Sequence, residues 1–160
     1  MTEPPVDTVD VAAAPARIWA LLDDPAALGR MLPGCESIVR EAPDRYVAVL
    51  ATNVQFMTVR SDVVATLHDA DPPRHLRLVL DGTPRGFGGS FHLDVPFDIA
   101  PVGEDRSRVS YTVGLTLSGG LAGFGGPMLT DTLRRLVGEL VRNIGVEAAG
   151  GTVGGSGPAA

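Results

Sequence analysis

Apolar residues recur along this chain in two periods, and the change of period divides it into parts. From Tyr46 to Ser118 the period is mostly two. Met57, Val59, Val63, Ala65 and Leu67 share one face, with Arg60, Asp62 and His68 opposite. Leu76, Leu78 and Leu80 alternate with His75, Arg77 and Asp81. The cleanest run is Phe87, Phe91, Leu93, Val95, Phe97 and Ile99 against Ser90, His92, Asp94 and Asp98. Val109, Tyr111, Val113, Leu115 and Leu117 then alternate with Ser110, Thr112, Thr116 and Ser118. Such alternation predicts strands with one wet and one buried face. Tyr46 to Thr52 is apolar on both faces, which predicts a central strand. Asp71-Pro72-Pro73, Gly82 to Gly86 and Gly103 to Arg106 supply turns, so five or six consecutive strands form an antiparallel meander.

After Gly119 the period becomes helical. Leu129, Leu133, Leu136, Leu140 and Ile144 fall on one stripe, with Asp131, Arg134, Arg135, Glu139 and Arg142 largely off it. Pro127 suits a first helical turn, because its missing N–H would have no intrahelical partner there. The helix therefore runs from about Pro127 to Ile144. Ahead of the strands, Val6, Val9 and Val11 make a short first strand. Pro15 opens a helix over Ala16 to Asp23, and a helical turn follows over Pro25 to Met31. Leu32-Pro33-Gly34-Cys35 is a turn, and Glu36 to Glu41 a short strand. The pattern predicts an α+β fold: a curved antiparallel sheet wrapped around one long C-terminal helix, as a single domain over residues 1–149. The tail, Gly150 to Ala160, is glycine-rich with almost no apolar bulk and reads as disordered.

Composition narrows the partners. The chain has 160 residues and a formal net charge of -6, which argues against nucleic acid, since phosphate binding needs a basic face. Aromatics make up 5% of the residues, so a core of this size is built mainly from aliphatic side chains. Cys35 is the single cysteine, which allows no intrachain disulfide and fits a reducing cytoplasm. Met1 to Asp10 carries no basic segment or apolar run, so it does not read as a signal peptide. His68, His75 and His92 lie on polar faces without ligand spacing, and Asp62 and Asp94 read as solvated. Cys35 has no base or orienting group placeable beside it. No metal and no cofactor are expected. The glycine runs at Gly86 to Gly89 and Gly119 to Gly126 match no phosphate-binding pattern.

One helix about 10 Å wide cannot reach every inward side chain of a strongly bent sheet. With few aromatics, and small residues such as Ser61, Ala65 and Gly89 on the inward faces, the balance leans toward an apolar cavity. Its expected walls are Met57, Val59, Leu78, Leu80, Phe91, Leu93, Tyr111 and Val113. Leu121 and Phe124, on the glycine-rich turn, would stand at its mouth as a gate. Leu22, Leu32, Phe87, Leu115 and the helix residues Met128, Leu129, Leu133 and Leu136 complete the expected lining. Tyr111 is the expected polar anchor, because a phenol in an apolar wall needs a hydrogen-bond partner. An alternative is an ordinary core tyrosine.

Several stretches together resemble the family of the carbon monoxide dehydrogenase G subunit, within the START-like helix-grip superfamily that includes polyketide cyclases. They are Ala14-Pro15-Ala16-Arg17-Ile18-Trp19-Ala20-Leu21-Leu22-Asp23-Asp24-Pro25, Met31-Leu32-Pro33-Gly34-Cys35-Glu36, Asp71-Pro72-Pro73, Gly86-Phe87-Gly88-Gly89-Ser90 and Gly119-Gly120-Leu121-Ala122-Gly123-Phe124-Gly125. The Leu-Pro-Gly-Cys and Gly-Gly-Leu-Ala-Gly-Phe-Gly turns are the most specific of these. The resemblance implies a non-catalytic accessory protein of a molybdenum-containing dehydrogenase. It implies recruitment of that enzyme to the inner face of the cell membrane, and a quinone or other lipid as the apolar ligand. The tail departs from relatives that carry a hydrophobic anchor. Two rivals remain: a polyketide cyclase or aromatase using the same cavity, and an interaction subunit with a filled core. The inward positions offer mainly Tyr111 and Ser61 as polar groups, and that thin supply of acids and bases favours a carrier over a cyclase.

Overall fold

A computed structural model describes residues 6–54, 56–86, 88–120 and 126–150. The strands are β1 (Asp7–Val11), β2 (Cys35–Ala42), β3 (Arg45–Val54), β4 (Met57–Asp71), β5 (His75–Pro84), β6 (Ser90–Gly103), β7 (Arg106–Tyr111) and β8 (Gly114–Ser118). Helices α1 (Pro15–Leu22) and α2 (Pro25–Met31) follow β1, and α3 (Gly126–Ala148) closes the described chain. All pairings are antiparallel, in the order β1-β7-β6-β5-β4-β3-β2, with β8 also on β6. This is the expected α+β architecture, with α3 held against the concave face of the sheet.

The inner face of β6 carries Phe91, Leu93, Val95, Phe97 and Ile99, all buried, as its alternation requires. The outer face is laced by cross-strand ion pairs. Arg60 reaches Glu36 at 2.9 Å, Arg85 reaches Asp62 at 2.7 Å, and Arg77 reaches Asp94 at 2.9 Å. Asp62 and Asp94 are therefore paired rather than simply solvated. His92 meets Asp81 and His75 meets Asp98 on the same outer face, at 2.5 and 2.8 Å.

Helix α3 runs a turn beyond Ile144, and its buried stripe is wider than expected. Val137, Val141 and Ala148 join Leu133, Leu136, Leu140 and Ile144, while Leu129 is half-buried. Its C-terminal half is clamped by the two short helices. Arg30 meets Glu147 at 3.1 Å, and the Asn143 amide donates to the Met31 carbonyl at 2.8 Å. The Arg17 guanidinium donates to the carbonyl of Ala148 at 2.5 Å, where cationic groups suit the negative end of the helix. Pro15 and Pro25 stand at the first positions of α1 and α2, and the Asp24 side chain caps α2 by accepting from the Ala26 N–H at 3.0 Å.

Four local expectations change. β3 is second from the edge, not central; its apolar outer residues Val47 and Val49 are half-buried. Gly82 belongs to β5, which continues to Pro84, and it faces Phe91 in the β5–β6 register. The last predicted strand is interrupted between β7 and β8. The register carries on unbroken, since Phe97 faces Tyr111 and Asp94 faces Gly114. The interruption lies beside Pro96, which has no N–H to give to a ladder. Met57 has the inward parity but is 48% exposed, because it starts β4 at the tip of the β3–β4 hairpin, beyond the reach of the core.

Candidate ligand site

One end of the molecule gathers the turns that could admit a ligand. The topology brings together the Pro33-Gly34 turn, the β3–β4 hairpin tip, the β5–β6 connection and the start of α3. Gly34 has φ +75, and its carbonyl accepts from the Ala51 N–H at 2.8 Å. A Cβ there would stand 2.0 Å from the Ala51 oxygen, so only glycine lets this turn lie on β3. Gly119, at φ +70, approaches the backbone of Gly89 closely, and Gly120 that of Gly88, so Gly119-Gly120 and Gly88-Gly89 lie backbone against backbone.

Beside these turns is an open groove of about 340 Å³. Its walls are the Pro33-Gly34 turn, Ala51, Thr52 and Asn53 at the end of β3, and Thr132, Arg135, Leu136 and Glu139 on the first half of α3. Small-molecule pockets begin at roughly 300 Å³, so the groove is large enough to receive a ligand. Phe56, at the adjoining hairpin tip, is fully exposed beside the half-exposed Met57.

Deeper in, an apolar cavity of about 20 Å³ lies between the sheet and all three helices. Leu22, Leu28 and Leu32 roof it from the two short helices and Leu140 closes it from α3. The sheet contributes Ile38, Tyr46, Ala65, Leu67, Leu76, Leu78, Leu80 and Phe97. The space is the size of about one water molecule. Leu136 borders the groove and Leu140 the cavity, four residues apart on one stripe of α3, or about 6 Å along the axis.

The cavity thus sits toward α1, α2 and β2, away from the wall inferred from strand parity. Of the expected lining, Leu22, Leu32, Leu78 and Leu80 face the cavity and Leu136 the groove. Val59, Phe91, Leu93, Tyr111, Val113 and Leu133 are buried but line neither space, and Leu115 and Leu129 are half-buried. Two aromatics explain the shift. Phe91 fills the room left by the missing side chain of Gly82, and Tyr111 lies 5.8 Å, centroid to centroid, from Phe97. The Tyr111 hydroxyl points at α3, 4.0 Å from where a Cβ on Gly138 would stand. Phe87, Leu121 and Phe124 lie outside the described residues, as does the tail after Gly150; Met128 lies within α3, its side chain not described.

The residue that sequence reasoning missed is Tyr46. It is fully buried, and its hydroxyl has no hydrogen-bond partner among the described residues. It is also the one polar side chain among the twelve that line the cavity. Arg40 covers its ring at 5.5 Å and ties the β2–β3 hairpin to α1 through Asp23 at 2.8 Å. Burial pushes the Tyr46 phenol up, against the opposing effect of Arg40; burial also pushes Tyr111 up. The hydroxyl is therefore a neutral donor at ordinary pH. Nothing in the cavity wall can act as a base. Cys35 lies half-buried near the rim, its thiol raised by burial and donating to the Ser37 carbonyl at 3.4 Å. Among the described residues no three His, Cys, Asp or Glu side chains stand together as a metal site, and no helix is long and apolar enough to cross a membrane.

Known structures share this architecture. A conserved protein from Geobacillus kaustophilus superposes with a TM-score of 0.79 at 23% identity, over 91% of this chain and 94% of that one. The Zhui aromatase/cyclase from Streptomyces sp. R1128 gives 0.66 at 21%, over 94% and 99%. A START superfamily protein from Mycobacterium smegmatis gives 0.67 at 15%, over 90% and 95%. Likenesses this distant establish the fold, which is the START-like helix grip. No curated protein matches the sequence. The family model described as the G subunit of carbon monoxide dehydrogenase (CoxG) matches residues 8–149, nearly the whole described chain, and the protein belongs to that family.

Proposed function

We propose that this protein is a non-catalytic accessory protein that takes up an apolar ligand, a quinone or other lipid, between α3 and the sheet. The observation that carries the reading is the groove beside α3, one helical turn from a cavity lined by eleven apolar side chains and Tyr46. Helix α3 is tied to the rest of the chain by side-chain contacts along its length. Its C-terminal half is clamped through Glu147, Asn143 and the Ala148 carbonyl. In its first half Arg134 donates to the Val113 carbonyl at 3.4 Å, and Thr132 in the groove wall is also engaged. A ligand enters by parting this half of the helix from β3. Apolar burial drives uptake at about 25 cal/mol per Å², much of it offset by the cost of ordering ligand and helix.

Membership of the CoxG family supports a molybdenum-containing dehydrogenase as the partner served. Phe56 and Met57, exposed at the mouth end, suit contact with that enzyme or with the inner face of the cell membrane from the cytoplasm. A cyclase would need an acid and a base in the cavity wall, which offers a lone phenol. A second reading, an interaction subunit with a filled core, is favoured by the small size of the cavity. The experiment that separates the two is titration of the purified protein with a menaquinone analogue, followed by Trp19 fluorescence and calorimetry. Saturable one-to-one binding supports uptake. Absence of binding by any isoprenoid quinone or fatty chain leaves the interaction subunit.

A further inference from the structure

The groove and the cavity share a wall, and the wall is thin. On the turn that follows α2, Leu32 lines the cavity, while the next two residues, Pro33 and Gly34, line the groove. On α3 the same division falls between Leu140 and Leu136, one helical turn apart. The turn and the helix run side by side here, because the Asn143 amide holds the Met31 carbonyl at 2.8 Å. Between the two spaces the turn therefore contributes one side chain, Leu32, and the helix contributes Leu136; both are buried.

The backbone of that turn is pinned. The Leu32 N–H donates to the Leu28 carbonyl at 2.8 Å, and the Cys35 N–H donates to the Leu32 carbonyl at 3.2 Å. The Gly34 carbonyl accepts from the Ala51 N–H at 2.8 Å, and the ring of Pro33 fixes its own φ. A passage through this wall thus opens by rotation of the Leu32 side chain between staggered positions, with the turn itself staying in place.

We propose that Leu32 is the gate between groove and cavity, and that it admits an aliphatic chain tail first while the head of the ligand stays in the groove. This rests on the uptake reading above. Swinging one leucine aside clears a width close to that of an alkyl or prenyl chain, too narrow for a fused ring. The two linings agree with that order. Thr52, Asn53, Thr132, Arg135 and Glu139 give the groove hydrogen-bonding and charged groups to meet a polar head. The cavity offers only carbon surface, so a polar head driven into it would be desolvated without partners, whereas a methyl-ended chain loses nothing there. The cavity, at about 20 Å³, takes the end of the chain, and the room that Leu32 vacates takes the carbons behind it. The ligand is therefore an amphipath, with a ring or polar head that suits the groove and a flexible aliphatic tail.

A second leucine separates a gate from general loosening. Leu22 is buried and lines the same cavity, but it lies on α1 and is not part of the groove wall. Leu32→Ala and Leu22→Ala remove the same carbons from one cavity, and both lower Tm. The probe is decyl dansylamide, a sulfonamide head on a methyl-ended chain, followed by stopped-flow fluorescence. A second probe carries a carboxylate in place of that methyl group. The expected result is that Leu32→Ala speeds association of the first probe about tenfold, while Leu22→Ala leaves it within about twofold of wild type. The carboxylate-ended probe should bind at least about tenfold more weakly than the methyl-ended one, to wild type and Leu32→Ala alike. Where the alanine variants do not fold, Leu32→Val against Leu22→Val gives the same contrast in smaller measure. Equal acceleration by the two leucine variants, or none by Leu32→Ala, overturns the gate and leaves the uptake reading standing. Equal binding of the two probes overturns the tail-first order. Failure of both wild type and Leu32→Ala to bind either probe overturns this proposal and the uptake reading together.

Discussion

Gly82→Ala tests how the sheet closes the space beneath α3. A Cβ added at Gly82 would stand 2.0 Å from Phe91 Cζ and 2.4 and 2.6 Å from its Cε atoms. Ordinary carbon contacts lie at about 3.5–4.0 Å, so the ring must retreat by roughly 1.5 Å. Phe91 is 4% exposed, with little room to move. Overpacking of this kind costs about 1–3 kcal/mol, and complete expulsion of the ring would forfeit about as much in burial. Alanine regains roughly 0.5–1 kcal/mol of backbone entropy, which leaves a net loss of about 1.5 kcal/mol. For a chain of this length that is a fall in Tm of about 3–6 °C. The assay is a double-mutant cycle by thermal and urea unfolding, with Phe91→Leu as the second change, since leucine lacks the clashing ring atoms. In the Phe91→Leu background Gly82→Ala should be neutral or slightly stabilising, a coupling above about 1 kcal/mol. Equal loss in both backgrounds would show that the ring does not lie over Gly82 and would refute the packing argument.

Leu133→Asp puts an unpaired charge on the buried stripe of α3 and should cost several kcal/mol, about 3–5, read as loss of cooperative unfolding or of soluble protein; an unchanged Tm would contradict the placement of the helix. Acid should loosen the outer face. The Arg60 and Arg85 hydrogen bonds hold Glu36 and Asp62 below their ordinary values of 4.5 and 3.8, so their contribution is complete above those values and fades as pH falls through the depressed ones. Glu36→Gln with Asp62→Asn should flatten that part of the stability–pH curve, and an identical curve would mean that these pairs contribute nothing to it. Alkylation of Cys35 should show an apparent pKa above the ordinary 9.0, and Cys35→Ser should leave ligand binding intact; fast reaction at neutral pH would contradict the burial argument.

The sequence is plainest where one face of an element is wet. β6 alternates between aliphatic or aromatic residues and polar ones, so its inner row from Phe91 to Ile99 can be read by parity. The α3 stripe and the proline-led starts of α1 and α2 are equally legible. β3 hides its facing because Val47 and Val49 are as apolar as Ala48 and Leu50, and a slip of one residue inverts the choice. That ambiguity conceals Tyr46 and favours Tyr111 as the anchor. Gly82 reads as a turn because nothing local reveals that a ring on the next strand needs its space. The position of the cavity escapes for a related reason. Parity names the residues that face inward, but the volume left among them depends on how Phe91 and Tyr111 fill the grip and where α1 and α2 cover it. Pair partners across the sheet, such as Arg85 with Asp62, depend on register and are invisible to single-strand reading.

Uptake of an apolar ligand into the grip can be seen without a label or a reporter, by native mass spectrometry of the full chain. The protein would be purified without detergent, sprayed as isolated, and sprayed again after incubation with a menaquinone analogue and with acyl lipids. The expected result is a single adduct of defined mass in at least one condition, released by organic solvent. The adduct should weaken in a folded Ala65→Val variant, which adds bulk to the cavity wall. The bare chain mass in every condition, from protein shown to be folded, would contradict uptake.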